Sequence, residues 1–196
     1  MIKSVYNNDK EILEAILTLH VKASTFELDP TFSKGMFWRG LQEPKYKSDI
    51  YPQREDVIKA DCTKLSNFKD GEIKSICFDP PFLAGFTQPR KTGVMGNRFF
   101  GFRYMPEVWE FYKKSLKEFW RIMPNGGVLA FKCQDTVSSG KQFFSHVFII
   151  NEAEKLGFYT KDLFIQVAKS RIIGHNHKIQ KHARKFHSYW LVFEKK

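Results

Sequence analysis

Ile73-Lys74-Ser75-Ile76-Cys77-Phe78-Asp79-Pro80-Pro81-Phe82 runs from apolar residues into an acid, two prolines and an aromatic ring. The run Ile76-Cys77-Phe78 has the length and residue types of a buried strand. Pro80 and Pro81 lack a backbone N–H and fix φ, so the strand must stop before them. Asp79 is therefore delivered at the strand's carboxyl end, which is where open α/β sheets bind ligands. Phe82 follows on a stiff backbone. On its own, the quartet also suits an ordinary turn.

Outward from this strand, the pattern predicts alternating elements. Residues 10–20 place Ile12, Leu13, Ile16, Leu17 and Leu19 largely on one helical face, with Asp9 available as the cap. Thr25-Phe26-Glu27-Leu28-Asp29-Pro30 reads as a short strand closed by Asp-Pro, and 31–40 as a loop with two glycines. Residues 46–50 and 56–60 read as brief strands, each near an acid (Asp49 and Asp61). Pro106 suits the first turn of a helix, along which Val108, Trp109, Tyr112, Leu116, Phe119 and Trp120 recur at helical spacing. Pro124-Asn125-Gly126-Gly127 ends that helix, and 128–131 is another strand of buried type. Residues 142–156 predict a helix with Phe143, Phe144, Val147 and Phe148 inward, stopped by Gly157. Residues 159–168 and 188–194 predict two further strands. The order implies an α/β fold with a doubly wound, mainly parallel sheet and an antiparallel hairpin at its edge.

A chain of 196 residues can form one domain, 1–196, with a full core. Its formal charge of +11 favours acidic partners, nucleic acid first among them. The 3 cysteines are widely spaced with no C-x-x-C, which argues against a disulfide framework or a cysteine zinc site. Apolar runs such as 147–150 are too short to span a bilayer, and the amino terminus has no cleavage-like segment. The expectation is a cytoplasmic protein that is not membrane-bound. Two basic insertions, 83–104 and 169–187, stand apart. Within the first, 88–104 carries Arg90, Lys91, Arg98 and Arg103 among Phe99, Phe100, Phe102 and Tyr104, with no acid. That mixture suits phosphate contact and base stacking. The second holds Lys169, Arg171, Lys178, Lys181, Arg184 and Lys185 with four histidines, and such charge gives salt-dependent, sequence-blind binding. Both stretches can also be read as solvated basic surface. His175, His177, His182 and His187 make a poor zinc pattern without cysteines or acids nearby, and no metal is expected.

Asp79-Pro80-Pro81-Phe82 resembles the (D/N/S)-P-P-(Y/F/W) motif of the amino-methyltransferases, which methylate exocyclic amines on nucleic-acid bases. Asp29-Pro30-Thr31-Phe32-Ser33-Lys34-Gly35 resembles the donor loop of the same family, commonly D-P-F-x-G-x-G. Ser33 departs from its first glycine and Gly35 matches its second. The landmarks fall in the family's order across roughly residues 26–133, and 188–194 fits the final strand.

The resemblance implies a Rossmann-like methyltransferase fold and S-adenosyl-L-methionine as cofactor. It implies that Asp29, Pro30, Thr31, Phe32, Ser33 and Gly35 form the donor loop. Asp49 would take the ribose hydroxyls, and Asp61, beside Cys62, the donor's adenine amino group. Either acid also suits a turn or a cap. Asp79, Pro80, Pro81 and Phe82 are the implied catalytic group. The Asp79 carboxylate and the Pro80 carbonyl would accept from the target amine, and Phe82 would stack on the flipped base. Arg90, Lys91, Arg98, Arg103, Lys178, Lys181, Arg184 and Lys185 would hold the nucleic acid. The implied activity is methyl transfer to adenine N6 in DNA, taken ahead of an RNA base (adenine N6 or guanine N2) or cytosine N4. The competing class is a non-catalytic nucleic-acid-binding protein on a degenerate methyltransferase fold, which the Ser33 departure supports.

Overall fold

A computed structural model describes residues 1–85, 101–169 and 181–196. Among them the strands are β1 (Val5–Tyr6), β2 (Leu28–Asp29), β3 (Tyr46–Asp49), β4 (Ile58–Lys59), β5 (Ser75–Phe78), β6 (Val128–Cys133), β7 (Thr136–Ser138), β8 (Lys141–Phe143), β9 (Phe158–Val167) and β10 (His187–Lys195). The α-helices are α1 (Asp9–Ile16), α2 (Met105–Ile122) and α3 (Ser145–Leu156), with a π-helical turn at Leu17–Val21 and a 3-10 turn at Met36–Trp38.

Eight strands form one sheet in the order β1-β9-β10-β6-β5-β2-β3-β4, and β7 pairs with β8 apart from it. β5 lies between two parallel neighbours, β2 and β6, and all four of its residues are buried. β10 runs antiparallel to both β6 and β9, so the last two strands form the expected hairpin at that end, with β1 outermost.

Period-2 alternation sends Ile76 and Phe78 to the face covered by α2 and α3, and Cys77 to the face covered by α1. Both faces are therefore covered, as a parallel sheet requires. The first layer is rich in aromatic contacts. Phe78 meets Phe119 at 4.8 Å and Phe131 at 4.9 Å, both edge to face.

Three local expectations are corrected. Asn8, not Asp9, caps α1, its side chain accepting from the Glu11 N–H at 2.9 Å. Asp9 sits in the first turn and reaches the sheet instead, 2.9 Å from both Lys132 Nζ and Trp190 Nε1. The helix expected over 142–156 begins only at Ser145, because Gly140 (φ +75°) turns the chain and 141–143 pair as β8. Phe144 and Val147 are consequently 54% and 46% exposed rather than inward. Phe148 does pack, stacked on Trp109 with ring centroids 4.2 Å apart. Finally, β6 runs two residues past 131, which brings Lys132 into the sheet.

Candidate active site

β2 and β5 are parallel neighbours, so the acids at their ends emerge at the same edge of the sheet. Asp29 closes β2 and is 4% exposed. One of its oxygens, Oδ1, accepts from the Thr31 backbone N–H at 2.8 Å and from the Thr31 hydroxyl at 3.1 Å. The other accepts from Trp38 Nε1 at 2.8 Å. Burial pushes its carboxyl up to about 7, against the hydrogen bonds from Trp38 and Thr31, and the nearby Asp79 charge adds to the rise.

Asp79 follows β5 directly. Its backbone N–H donates to Thr31 Oγ1 at 3.1 Å. The Thr31 hydroxyl therefore donates to one acid and accepts from the backbone of the other, joining the two motifs at a single oxygen. A cavity of about 330 Å³ opens here, lined by Asp9, Asp29, Thr31, Phe32 and Asp79, with Lys10 and Arg39 also on its wall.

The loop after β2 owes its shape to two left-handed residues. Ser33 has φ +51° and Gly35 φ +71°. A Cβ on Gly35 would sit 2.6 Å from Phe32 Cζ, so only glycine lets the Phe32 ring close over the turn. Ser33 takes the conformation a glycine would take freely, and its N–H donates to Asp49 Oδ2 at 2.9 Å. Asp49 Oδ1 accepts from the Tyr51 N–H at 2.7 Å. The end of β3 thus fixes the loop that follows β2. The Arg54 guanidinium lies over the Phe32 ring, 5.1 Å from its centroid.

The remaining candidate residues take varied positions. Asp61 Oδ1 accepts from both the Thr63 N–H and its hydroxyl, each at 2.8 Å, which makes a local turn. Cys62 is buried in the core, its sulfur 3.6 Å from Ser115 Oγ, and burial pushes its thiol up to about 12. Pro30 is buried and Pro80 is buried, while Pro81 and Phe82 are half-buried. The Pro81 carbonyl accepts from the Tyr112 hydroxyl at 2.8 Å, so α2 clamps the stiff segment from behind. Arg103 and Tyr104 are exposed, the guanidinium 5.3 Å from the ring centroid. Lys181 and Arg184 are exposed and Lys185 is half-buried. Arg90, Lys91, Arg98 and Lys178, like His175 and His177, lie outside the described residues.

Sequence reasoning missed Asp9, Trp38, Tyr112 and Lys132 as parts of this region. Tyr112 was hidden in an aromatic stripe that reads as core. Lys132 did carry a signal, since it is a charged residue inside the apolar run Val128-Leu129-Ala130-Phe131-Lys132-Cys133.

No protein-family model matches the chain, and no curated protein matches it. Solved structures do share its fold. TrmN from Thermus thermophilus is 14% identical, with 94% of this chain and 48% of that one covered at a TM-score of 0.57. The PvuII DNA methyltransferase, described as cytosine-N4-specific, is 16% identical over 70% of this chain and 48% of that one, with a TM-score of 0.52. The [4+2]-cyclase SpnF is 13% identical over 95% and 81%, with a TM-score of 0.55. The chain spans about half the length of the first two. Likeness at this level establishes the Rossmann-like methyltransferase fold, a mainly parallel sheet with an antiparallel hairpin. A cyclase stands among the three, so the reaction must be argued from the site.

Proposed function

We propose that this chain is an S-adenosyl-L-methionine-dependent methyltransferase acting on the exocyclic N6 amine of adenine in DNA. The observation that carries this reading is the Thr31 bridge. It holds the glycine-like loop after β2 and the acid before Pro80-Pro81-Phe82 around one cavity.

The donor set suits the cofactor. Asp9 and Asp29 line the cavity and offer oxygen acceptors for an ammonium, Lys10 and Arg39 offer partners for a carboxylate, and Asp79 stands on the acceptor side. Asp29, Pro30, Thr31, Phe32, Ser33 and Gly35 would form the donor loop, with Asp49 at its ribose side and Asp61, beside Cys62, at its base. When bound, the cofactor supplies an electrophilic methyl group.

The chain's own residues supply position and charge. An exocyclic amine is a poor nucleophile because its lone pair is shared with the ring. Asp79 and the Pro80 carbonyl accept its two N–H bonds and turn that lone pair out of conjugation. Phe82 stacks on the base once it has left the helix, a step costing a few kcal/mol from a duplex. Catalysis then rests on orientation and electrostatics rather than a covalent intermediate. The departing proton becomes acidic only after the nitrogen is methylated, so Asp79 need not be a strong base beforehand.

Nucleic acid as substrate is supported by the +11 charge and by exposed Arg103, Lys181 and Arg184 at the described ends of the basic insertions. Transfer of tritiated methyl to DNA and RNA panels, followed by nucleoside analysis, tests polymer and base together. The expected product is N6-methyldeoxyadenosine. Label in RNA, in cytosine or in guanine would move the assignment within the class. No label, with no calorimetric binding of the donor but salt-sensitive DNA binding, would favour the non-catalytic binder instead.

A further inference from the structure

β6 carries a lysine where its neighbours are apolar. Lys132 is 8% exposed, yet it lies on the strand next to the one that delivers Asp79. The register of the parallel pair ends at Phe78↔Phe131, so the next positions along are Asp79 and Lys132. Side chains alternate along both strands, which puts these two on the face opposite Phe78 and Phe131, the face covered by α1. There the ammonium lies 2.9 Å from the Asp9 carboxylate of α1, and over the rings of Phe37 (4.8 Å) and Trp190 (5.7 Å). Asp9 is held in turn by Trp190 Nε1 at 2.9 Å.

A buried ion pair is a poor device for stability alone, since apolar side chains of similar volume often do as well. The placement of this one has a different use. We infer that Lys132 is a positioning residue for Asp79: its ammonium, pinned by Asp9, keeps the Asp79 carboxylate ionised and leaves Asp29 as the acid of the pair that takes up a proton. An ionised Asp79 can only accept from the target amine; a protonated one would present a competing donor. The consequence for catalysis rests on the methyl-transfer reading, whereas the charge assignment does not.

The groups around Asp79 support this division. Asp29 and Thr31 face it from the end of β2, Asp9, Lys10 and Arg39 share its cavity, and Lys132 approaches from β6. Burial alone would lower the Lys132 ammonium, but the Asp79 and Asp9 charges outweigh it and the net direction is upward. Cys77 on β5 and Tyr112 on α2 also sense Asp79, and burial pushes both well up, so both stay neutral. Among the described residues Lys132 is thus a buried cation that favours charge on Asp79, while Asp29 has burial and a neighbouring acid against its own charge.

Carboxyl 13C NMR titration of the full chain reads this directly, with Asp29→Asn and Asp79→Asn spectra used for assignment. In the wild type Asp79 should titrate below Asp29. In Lys132→Met, the Asp79 titration should move up by about one pH unit or more. The double variant Asp9→Asn/Lys132→Met removes the ammonium together with the carboxylate that pins it, so Asp9 is not left buried without its partner and the test stays intact if the single variant unfolds. It should move the same way. Lys132→Arg, which keeps the charge, should leave Asp79 near its wild-type position. An Asp79 titration unmoved in the double variant would overturn the assignment. The acid limb of kcat/KM for methyl transfer should follow the NMR shift. A wild type that shows the titration order but transfers no methyl would refute the enzyme reading alone; normal transfer with neither limb nor titration displaced would refute the role of Lys132.

Discussion

The two edges of the sheet carry very different concavities. At the amino ends of β5 and β6, a groove of about 810 Å³ is lined by Gly71, Pro124 and Asn125 and by Lys114, Lys117 and Arg121 of α2. Its charges are solvated or already paired: Arg121 bonds Glu118 and Asp70 at 2.7 Å each, and Lys195 bonds the Trp120 and Met123 carbonyls. At the carboxyl ends, the cavity is less than half that size, about 330 Å³, but its acids are drawn from the core. Asp29 is buried, Asp9 pairs with a buried lysine, and Asp79 follows the central strand. Size therefore does not pick out the edge to which the proposed function assigns the chemistry. Buried and half-buried acids mark the edge where charge acts more strongly than on the open surface.

Removing the acid from the small cavity should break the symmetry most. Asp79→Ala is expected to lose methyl transfer, a fall on the order of a thousandfold, while calorimetry still finds donor affinity close to wild type. Lys117→Ala, in the larger groove, should leave turnover within experimental scatter. Equal losses in the two variants would mean that the edges had been assigned the wrong way round.

Asp29 offers a test by pH. Folded, it keeps its proton up to about pH 7, against an ordinary carboxylate value of 3.8. Between those values the folded chain binds a proton that the unfolded chain has released, so this acid's contribution to stability falls as pH rises through that window. Below it both states are protonated and nothing is lost; above it the full penalty stands, on the order of 4 kcal/mol. Asp29→Asn should remove this slope, seen as a flatter dependence of Tm on pH between 4 and 7 than in the wild type. The variant pays elsewhere, since an amide can still accept from Thr31 but must turn its oxygen from one of its two sets of donors. A wild-type slope retained in Asp29→Asn would place the proton elsewhere.

The same contrast explains what could be read in advance. The carboxyl edge was legible because Asp-Pro and Asp-Pro-Pro end strands by covalent necessity, and parallel pairing then brings the two acids together. The alternation of strands and helices likewise gave the sheet and its hairpin. What failed were features decided at a distance. Residues 142–143 look helical until β7 pairs with them, and no local pattern contains that partner. Asp9 has every local qualification for a cap, but Lys132, 123 residues away, claims its carboxylate. Tyr112 is apolar in the helical pattern and polar only in the one atom that meets Pro81.

That one atom gives a smaller test. Tyr112→Phe preserves the ring, which sits edge to face on Phe131 at 5.3 Å, and deletes only the bond to the Pro81 carbonyl. The loss should be about 1 kcal/mol, read as a five- to tenfold lower kcat with donor affinity unchanged. A drop in donor affinity of the same size would show that the clamp serves the donor side instead.

The smallest effect concerns the one position where the donor loop departs from its resemblance. A serine in place of the first glycine invites the view that the loop has changed shape and its function lapsed. Ser33 instead adopts φ +51° and keeps its N–H on Asp49, so the backbone takes a bend that glycine would take without strain. An L-residue in that region costs about 1 kcal/mol. Ser33→Gly removes that strain but also frees the unfolded chain, which offsets part of the gain. The expected result is a small net rise in Tm with the Ser33-to-Asp49 geometry preserved and methyl transfer equal to or above wild type. A large gain in donor affinity would mean that the serine side chain obstructs the cavity, and the contrast between a working edge and an idle one would then owe less to backbone shape than to a single hydroxyl.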